Sequence, residues 1–256
     1  MCLLIFAHRV ARHYPLVLAA NRDEFHARPT ARAHFWPEFP QLLAGRDLEQ
    51  GGTWMGVTRE GRFAAVTNYR DPARTAPAPR SRGELPVDFL VGDDSPDTFL
   101  ARLRERGGDY AGFNLLLGDG DDLWYYSNSS AGEEPRLLDP GIYGLSNAQL
   151  DTPWPKVANG KEKLGELLEN GPVADHDSLA EVVGNRDMAE PRELARQGLE
   201  GDMDRLLSAQ FIVTGSYGTR SSTTLWRDRG GAVHWRELSY DGAGRLKDTH
   251  QATVTA

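Results

Sequence analysis

The order of strand-like and helix-like segments is the feature that most limits how this chain can fold. Short apolar runs with β-branched residues occupy both ends of the sequence, and helical periodicity lies mostly between them. The predicted strands cover residues 2–7, 16–20, 53–57, 62–69, 112–117, 123–127, 143–147, 210–215, 221–227 and 232–238. The predicted helices cover 85–91, 97–106, 155–170 and parts of 176–198. Runs segregated in this way indicate an α+β fold, with antiparallel sheet covered by helices.

Charge and cysteine content narrow the class of partner and the compartment. The 256 residues include 37 Asp and Glu against 29 Lys and Arg, a formal net charge of −8, which opposes non-specific binding to nucleic acid. No apolar run approaches the roughly 20 residues that cross a bilayer, so we expect no integral membrane segment. One cysteine excludes an internal disulfide and fits a cytoplasmic protein. Without a linker or internal repeat, residues 1–256 are interpreted as a single domain, and the oligomeric state is left open.

Cys2 is the only cysteine and directly follows Met1. If Met1 is removed, the thiol and a free α-amine belong to one residue. An α-amine has a pKa of about 7.7 to 8.0 and can accept a thiol proton near neutral pH. The position therefore indicates a candidate nucleophile that carries its own base. A second interpretation stays open, in which Cys2 is a small buried residue of the first strand.

A run of polar residues, 21–24, ends the second predicted strand. Because a hairpin returns the end of its second strand to the start of its first, these side chains are expected near the Cys2 thiol. A carboxylate there can hold an ammonium group, and an arginine can lower a thiol pKa or bind a substrate carboxylate. The alternative is a solvated, charged strand end.

Six motifs follow one another along nearly the whole chain. They are Met1-Cys2, Asn21-Arg22-Asp23-Glu24, Gly52-Thr53-Trp54-Met55-Gly56, Thr67-Asn68-Tyr69-Arg70, Leu145-Ser146-Asn147 with Pro153-Trp154-Pro155-Lys156-Val157, and Gly218-Thr219-Arg220. This set resembles the NRDE family, also called the transport and Golgi organisation family. More remotely, it is similar to N-terminal nucleophile hydrolases of the choloylglycine hydrolase and penicillin V acylase type, which cleave amides with an N-terminal cysteine.

The resemblance implies a four-layer αββα sandwich and an amidohydrolase that acts on a small-molecule or lipid-like amide. It implies catalytic roles for Cys2 as nucleophile, Asp23 at the freed amine, Asn68 and Asn147 at the substrate and oxyanion, and Arg220 beside the nucleophile. One position departs from the pattern: Ala20 stands where those hydrolases carry an arginine, and Arg22 lies inside the motif instead.

Further residues are candidates for substrate binding. They are Asn21, Arg22, Trp54 and Arg70. Trp54 follows a glycine turn and is equally explained as a buried aromatic residue. The arginine- and proline-rich segment 70–82 is predicted to be an exposed loop, either a binding surface for carboxylates or phosphates or a solvated charged face.

The rival function is a carrier that binds haem or lipid in the same pocket, since members of the family are linked to haem trafficking and lipid homeostasis. Haem takes His, Cys, Met or Tyr as axial ligand, so His8, His13, His26 and Cys2 are candidates. No haem-attachment motif and no histidine pair at metal-binding spacing is present in the sequence. We therefore expect no resident cofactor and no metal site, with haem only as a ligand.

Overall fold

The computed structural model describes residues 2–70, 78–129, 134–169 and 175–255. Three predictions concern residues outside these ranges: the processing of Met1, the middle of segment 70–82, and the closing of a helix at Asn170-Gly171.

The first sheet combines strands from both ends of the chain with one strand from its middle. Its strands are β1 (Cys2–Ala11), β2 (Tyr14–Phe25), β10 (Gly141–Leu145), β11 (Tyr217–Arg227), β12 (Val233–Tyr240) and β13 (Leu246–Val254). They pair antiparallel in the order β10-β1-β2-β11-β12-β13. The predicted hairpin of β1 and β2 is confirmed, and its register sets Cys2 opposite Arg22. The polar end of β2 therefore lies beside the first residue of β1.

The second sheet uses the intervening part of the chain. Its strands are β3 (Thr30–Trp36), β4 (Phe39–Asp47), β5 (Met55–Thr58), β6 (Phe63–Asn68), β7 (Phe113–Asp119), β8 (Asp122–Ser127) and β9 (Arg136–Leu137). They pair antiparallel in sequence order.

Helices cover the outer face of each sheet. They are α1 (Glu84–Val91), α2 (Pro96–Glu105), α3 (Pro155–Glu169), α4 (His176–Glu181), α5 (Pro191–Ala195) and α6 (Asp202–Leu206). The helices α1 and α2 pack on the second sheet, whereas α3 and α4 pack on the first. A separate apolar cluster fills each helix–sheet layer, and a third, with Leu4 and Trp235, joins the two sheets. The predicted α+β class and four-layer αββα sandwich are confirmed.

The strand predictions are wrong at several places. Segment 210–215 is not a strand, because Phe211 N–H donates to the Asn185 carbonyl and Ile212 N–H to Thr219 Oγ1, both at 2.9 Å. The strands β3, β4, β9 and β13 were not predicted. Within the nine residues of β4, the apolar run covers only residues 42–44. Strand β13 is an edge strand whose residues are mostly exposed or half-buried. Strands β4 and β13 are therefore defined by pairing with their neighbours rather than by their own pattern, whereas β3 alternates polar and apolar residues from Thr30 to Phe35.

No helix among the described residues combines the length and apolar character needed to cross a bilayer.

Candidate active site

A cavity of about 790 Å³ opens between the two sheets, where β1 begins and β2 ends. Both sheets and residues 78–83 contribute to its walls. The charged side chains that line it are Arg22, Asp23, Glu24, Arg28, Arg32, Arg46, Asp47, Arg80, Arg82, Arg220, Glu237, Lys247 and Asp248. The apolar and aromatic ones are Cys2, Ala31, Trp54, Val66, Ala78, Pro79, Ala111 and Tyr240. The lining is therefore dominated by charge.

Cys2 lies in the wall of this cavity and is 9% exposed. Its carbonyl accepts a hydrogen bond from Ser146 Oγ at 2.9 Å, which fixes the start of β1 against the end of β10. Burial raises the pKa of the Cys2 thiol, and the Asp23 carboxylate raises it further, whereas Arg22 lowers it. The thiol is consequently protonated at neutral pH.

Asp23 lies one residue beyond the partner of Cys2 on β2 and is buried. Its Oδ1 accepts a hydrogen bond from Thr219 Oγ1 at 2.7 Å, and its carbonyl accepts one from the Tyr217 hydroxyl at 3.0 Å. Burial raises the pKa of the Asp23 carboxyl, while the Lys156 ammonium and the Thr219 hydrogen bond lower it. Strand β11 thus holds this carboxyl beside the start of the chain's first strand.

Lys156 is a buried ammonium that the sequence reasoning left without a role. Its Nζ donates to the Leu207 carbonyl at 3.0 Å. Burial lowers the pKa of Lys156, and the charges of Asp23 and Cys2 raise it. The burial of Lys156 could have been predicted, because Lys156 shares one face of α3 with Val157, Gly160 and Leu164. A lysine on an apolar helix face needs a partner inside the protein.

Arg22, Arg82 and Arg220 are three of the seven arginines that line the cavity with Cys2. Arg22 is 8% exposed, and its guanidinium lies 3.9 Å from Glu24 Oε2. Arg220 donates to the carbonyls of Phe25 and Arg28 at 2.8 and 3.0 Å. Arg82 donates to the Gly112 carbonyl at 3.0 Å and is half-buried. Residues 78–82 therefore form part of the cavity wall, not only the exposed loop predicted for segment 70–82.

The two candidate asparagines are brought together by a hydrogen bond. Asn147 Nδ2 donates to the Asn68 carbonyl at 2.8 Å, and Asn147 Oδ1 accepts from Ser146 Oγ at 3.0 Å. Asn68 is exposed and lines the cavity, whereas Asn147 is buried behind it. The geometry makes Asn147 a support for Asn68.

Asn21 and Arg70, two of the predicted substrate-binding residues, are not among the described residues that line the cavity. Asn21 Nδ2 donates to the carbonyls of Val183 and Gln210, both at 2.8 Å, on the helical side of the first sheet. The Arg70 guanidinium binds Asp204. Arg22 and Trp54 do line the cavity.

Glu237 on β12 is a buried carboxyl that sequence reasoning missed. Its Oε1 accepts a hydrogen bond from Ala33 N–H on β3 at 2.8 Å, so this side chain joins the two sheets in the cavity wall. Burial raises the pKa of Glu237 to about 7. The strand prediction did cover this position, but the predicted elements lacked β3, the strand that supplies the partner.

The candidate haem ligands are dispersed. His8 is buried at a separate, small pocket, His13 is exposed, and His26 lies near Gly218 and Gly242. Of the four candidates, Cys2 alone is among the described residues that line the large cavity. Within the described ranges, no group of three or more His, Cys, Asp or Glu side chains is arranged to hold a metal ion.

The molecule is thus an αββα sandwich with a buried cysteine at the first residue of its first strand and a charged cavity above it. The chain belongs to the Transport and Golgi organisation 2 family, whose model matches residues 1–242.

Relatives in animals match over almost their full length. The chain is 37% identical to the Transport and Golgi organization protein 2 homolog of Bos taurus over 262 residues, 95% of this chain and 94% of the relative. It is 38% identical to the Homo sapiens homolog, with 93% of each chain covered. It is 25% identical to Transport and Golgi organization protein 2 of Drosophila melanogaster, with 98% and 97% covered.

The solved structures that align with this chain include two hydrolases. One is a Caenorhabditis elegans ortholog of N-acylethanolamine-hydrolyzing acid amidase, with 12% identity, a TM-score of 0.49 and coverage of 88% of this chain and 92% of that one. The other is a variant of conjugated bile acid hydrolase from Clostridium perfringens, with 12% identity, a TM-score of 0.48 and coverage of 100% and 98%.

Proposed function

We propose that the chain is an amidohydrolase with Cys2 as its nucleophile, acting on a small-molecule amide in the cavity between the sheets. The observation that carries this proposal is the register of β1 and β2, which sets the Cys2 thiol in the cavity wall and the buried Asp23 carboxyl next to it. A nucleophile and a carboxylate at the amino end of the first strand are the groups that an N-terminal nucleophile needs.

Burial explains why this mechanism requires a base. Because the pKa of the Cys2 thiol is raised, the thiolate is scarce at neutral pH, and a nearby group must take the proton as the thiol attacks. Once Met1 is removed, the α-amine of Cys2 has the appropriate pKa, about 7.7 to 8.0. Asp23 then holds the resulting ammonium close to the sulfur.

The reaction has two stages. Cys2 Sγ attacks the amide carbonyl, its proton passes to the α-amine, and the same proton then goes to the leaving amine nitrogen as the carbon–nitrogen bond breaks. Water next attacks the thioester carbon and gives a proton to the α-amine. The carbon–sulfur bond then breaks, the ammonium returns that proton to Sγ, and the carboxylic acid leaves. Asn68, which lines the cavity, is the proposed donor to the oxyanion, a contact typically worth about 3 to 4 kcal/mol.

The lining of the cavity favours a polar small molecule over a lipid-like amide. Most of its side chains are polar or charged, whereas a long acyl chain or a porphyrin face gains affinity from apolar walls. The haem or lipid carrier alternative draws no separate support from the described histidines, none of which lines the cavity.

Activity of two Cys2 variants tests the proposal. We expect Cys2→Ala to abolish hydrolysis of a panel of neutral and carboxylate-bearing N-acyl amides. Cys2→Ser should retain only a small fraction of the wild-type activity, because the hydroxyl is the weaker nucleophile. Thermal unfolding of both variants checks that the fold is kept. Hydrolysis at the wild-type rate by Cys2→Ala would contradict a nucleophilic Cys2.

A further inference from the structure

The cavity carries a charge opposite in sign to that of the chain. Eight Lys or Arg side chains line it against five Asp or Glu side chains, in a protein whose formal net charge is −8. A concave surface with low-dielectric walls concentrates its field and attracts ions of the opposite sign. The imbalance is therefore a property of the site and not of the composition.

Ion pairs show which of these charges are already compensated. Asp47 pairs with Arg28 and Asp248 pairs with Arg32, each at 2.7 Å, which leaves the excess of positive charge unchanged. Two further arginines of the lining, Arg46 and Arg80, pair with carboxylates outside it. Glu237, another acidic member, has a pKa raised by burial to about 7 and carries only part of a charge at neutral pH.

Two cavity arginines are left without a neutralising carboxylate. Arg82 donates to the Gly112 carbonyl, and Arg220 donates to the carbonyls of Phe25 and Arg28. Within the part of the chain that the structure describes, neither guanidinium lies within ion-pairing distance of an Asp or Glu. A carbonyl orients a guanidinium but does not cancel its charge. Each of these side chains also has further N–H groups for a ligand.

We propose that the cavity binds its ligand through an anionic group, a carboxylate, sulfonate or phosphate, which Arg82 and Arg220 attract to the vicinity of Cys2. A planar guanidinium binds such groups with charge-assisted hydrogen bonds. If the amidohydrolase proposal holds, on which this step rests, the substrate is an amide that carries an anionic group. The preference for anions itself depends only on the cavity and can be measured without any turnover.

The single cysteine permits a direct test with two alkylating reagents of the same mechanism. Iodoacetate and iodoacetamide both react with the thiolate, forming a carbon–sulfur bond and releasing iodide, but only iodoacetate is an anion. The ratio of their rate constants at Cys2 removes any effect of the thiol pKa, because both reagents need the same thiolate. The reference is the same ratio measured on the urea-unfolded chain.

We expect the folded protein to favour iodoacetate by about tenfold or more over the unfolded chain, with the preference falling as salt is added. Arg82→Gln and Arg220→Gln should each reduce the ratio severalfold, whereas Arg82→Lys should keep most of it. Arg104→Gln, on the exposed face of α2, removes the same charge elsewhere and should leave the ratio unchanged. A folded-state ratio equal to that of the unfolded chain would overturn the proposal.

Calorimetric titration with pyrophosphate covers the case in which the buried thiol reacts with neither reagent. We expect binding that weakens about tenfold in the Arg82→Gln, Arg220→Gln double variant and is unaffected in Arg104→Gln. No detectable binding at millimolar pyrophosphate would count against the anion site. An anion preference together with an inactive enzyme would leave this inference standing and remove only the amidohydrolase proposal.

Discussion

At the scale of single residues, Glu237 is a buried carboxyl whose ionisation conflicts with its surroundings. It is 4% exposed, and it accepts the Ala33 N–H that ties β12 to β3. Burial raises the pKa of Glu237 to about 7 and outweighs the hydrogen bond from Ala33 and the charges of Arg22 and Arg32, which lower it. An unfolded chain ionises this group near its ordinary value of 4.5.

This raised pKa gives Glu237→Gln a pH-dependent effect on stability. The folded state binds the proton more tightly than the unfolded state, so the stability contributed by the neutral carboxyl is fully present below pH 4.5 and is lost as the pH rises towards 7. The glutamine keeps an acceptor for Ala33 N–H without a charge. We expect equal stability of variant and wild type at pH 4.5 and a variant more stable by up to about 3 kcal/mol at pH 8.

Urea unfolding at several pH values measures this difference. Glu60→Gln, an exposed residue of the β5–β6 turn, is the matched control and should show no such trend. A stability gain in Glu237→Gln that does not change with pH would refute the assignment of the buried charge.

The residues of the site differ in how far the sequence could predict them. Cys2, Arg22 and Asp23 were predicted to lie together because a hairpin brings the end of its second strand to the start of its first. Lys156 belongs to the same group through α3, and Glu237 joins it through β3 and β12. Contacts between distant elements depend on how the sheets stack, which no local pattern specifies.

At the scale of elements, the wall of the cavity is formed where two backbone segments cross. Thr53 N–H donates to the Gly83 carbonyl at 2.9 Å, immediately before Trp54 and immediately after Arg82. A Cβ added to Gly52 would lie 2.4 Å from the backbone carbon of Gly83. The φ angle of Gly52 is not in the left-handed region, so the backbone conformation does not demand a glycine. The close approach of Gly83 does.

Gly52→Ala should therefore separate the two segments. We expect it to lower the free energy of unfolding by at least about 2 kcal/mol and to reduce the iodoacetate preference, because Arg82 moves with Gly83. Gly108→Ala is the control, since no described atom lies within 4 Å of its added Cβ, and its effect should stay within about 0.5 kcal/mol. A Gly52→Ala protein as stable as Gly108→Ala would show that the crossing is not tightly packed.

Elements with a strong pattern of their own were predicted well, and those defined by their neighbours were not. The helices α1 and α2 and the strands β7 and β8 agree with the predicted ranges to within one or two residues. The edge strand β13 is mostly polar and offers no apolar run, whereas the polar–apolar alternation of β3 from Thr30 to Phe35 was overlooked. Segment 210–215 has strand-like composition, but its backbone groups bind a loop and a threonine side chain instead.

At the scale of the whole molecule, the stacked sheets bury a continuous apolar core and leave a charged cavity at one end. Chain order explains this division, because the first sheet combines the two ends of the sequence and so brings β1, β2 and β11 together. The fold class could be predicted from the order of the elements. The cavity and its positive charge could not, because both depend on how the two sheets stack. The single-domain organisation over 1–256 and the cytoplasmic location stay predictions.

Whether the Cys2 thiol with a free α-amine does the chemistry is tested most directly by the intact mass of an active preparation. We predict that the active protein lacks Met1 and begins at Cys2, and that the acyl group trapped during turnover is found on that first residue. Full amide-hydrolysing activity in a preparation whose mass includes Met1 would rule out this mechanism.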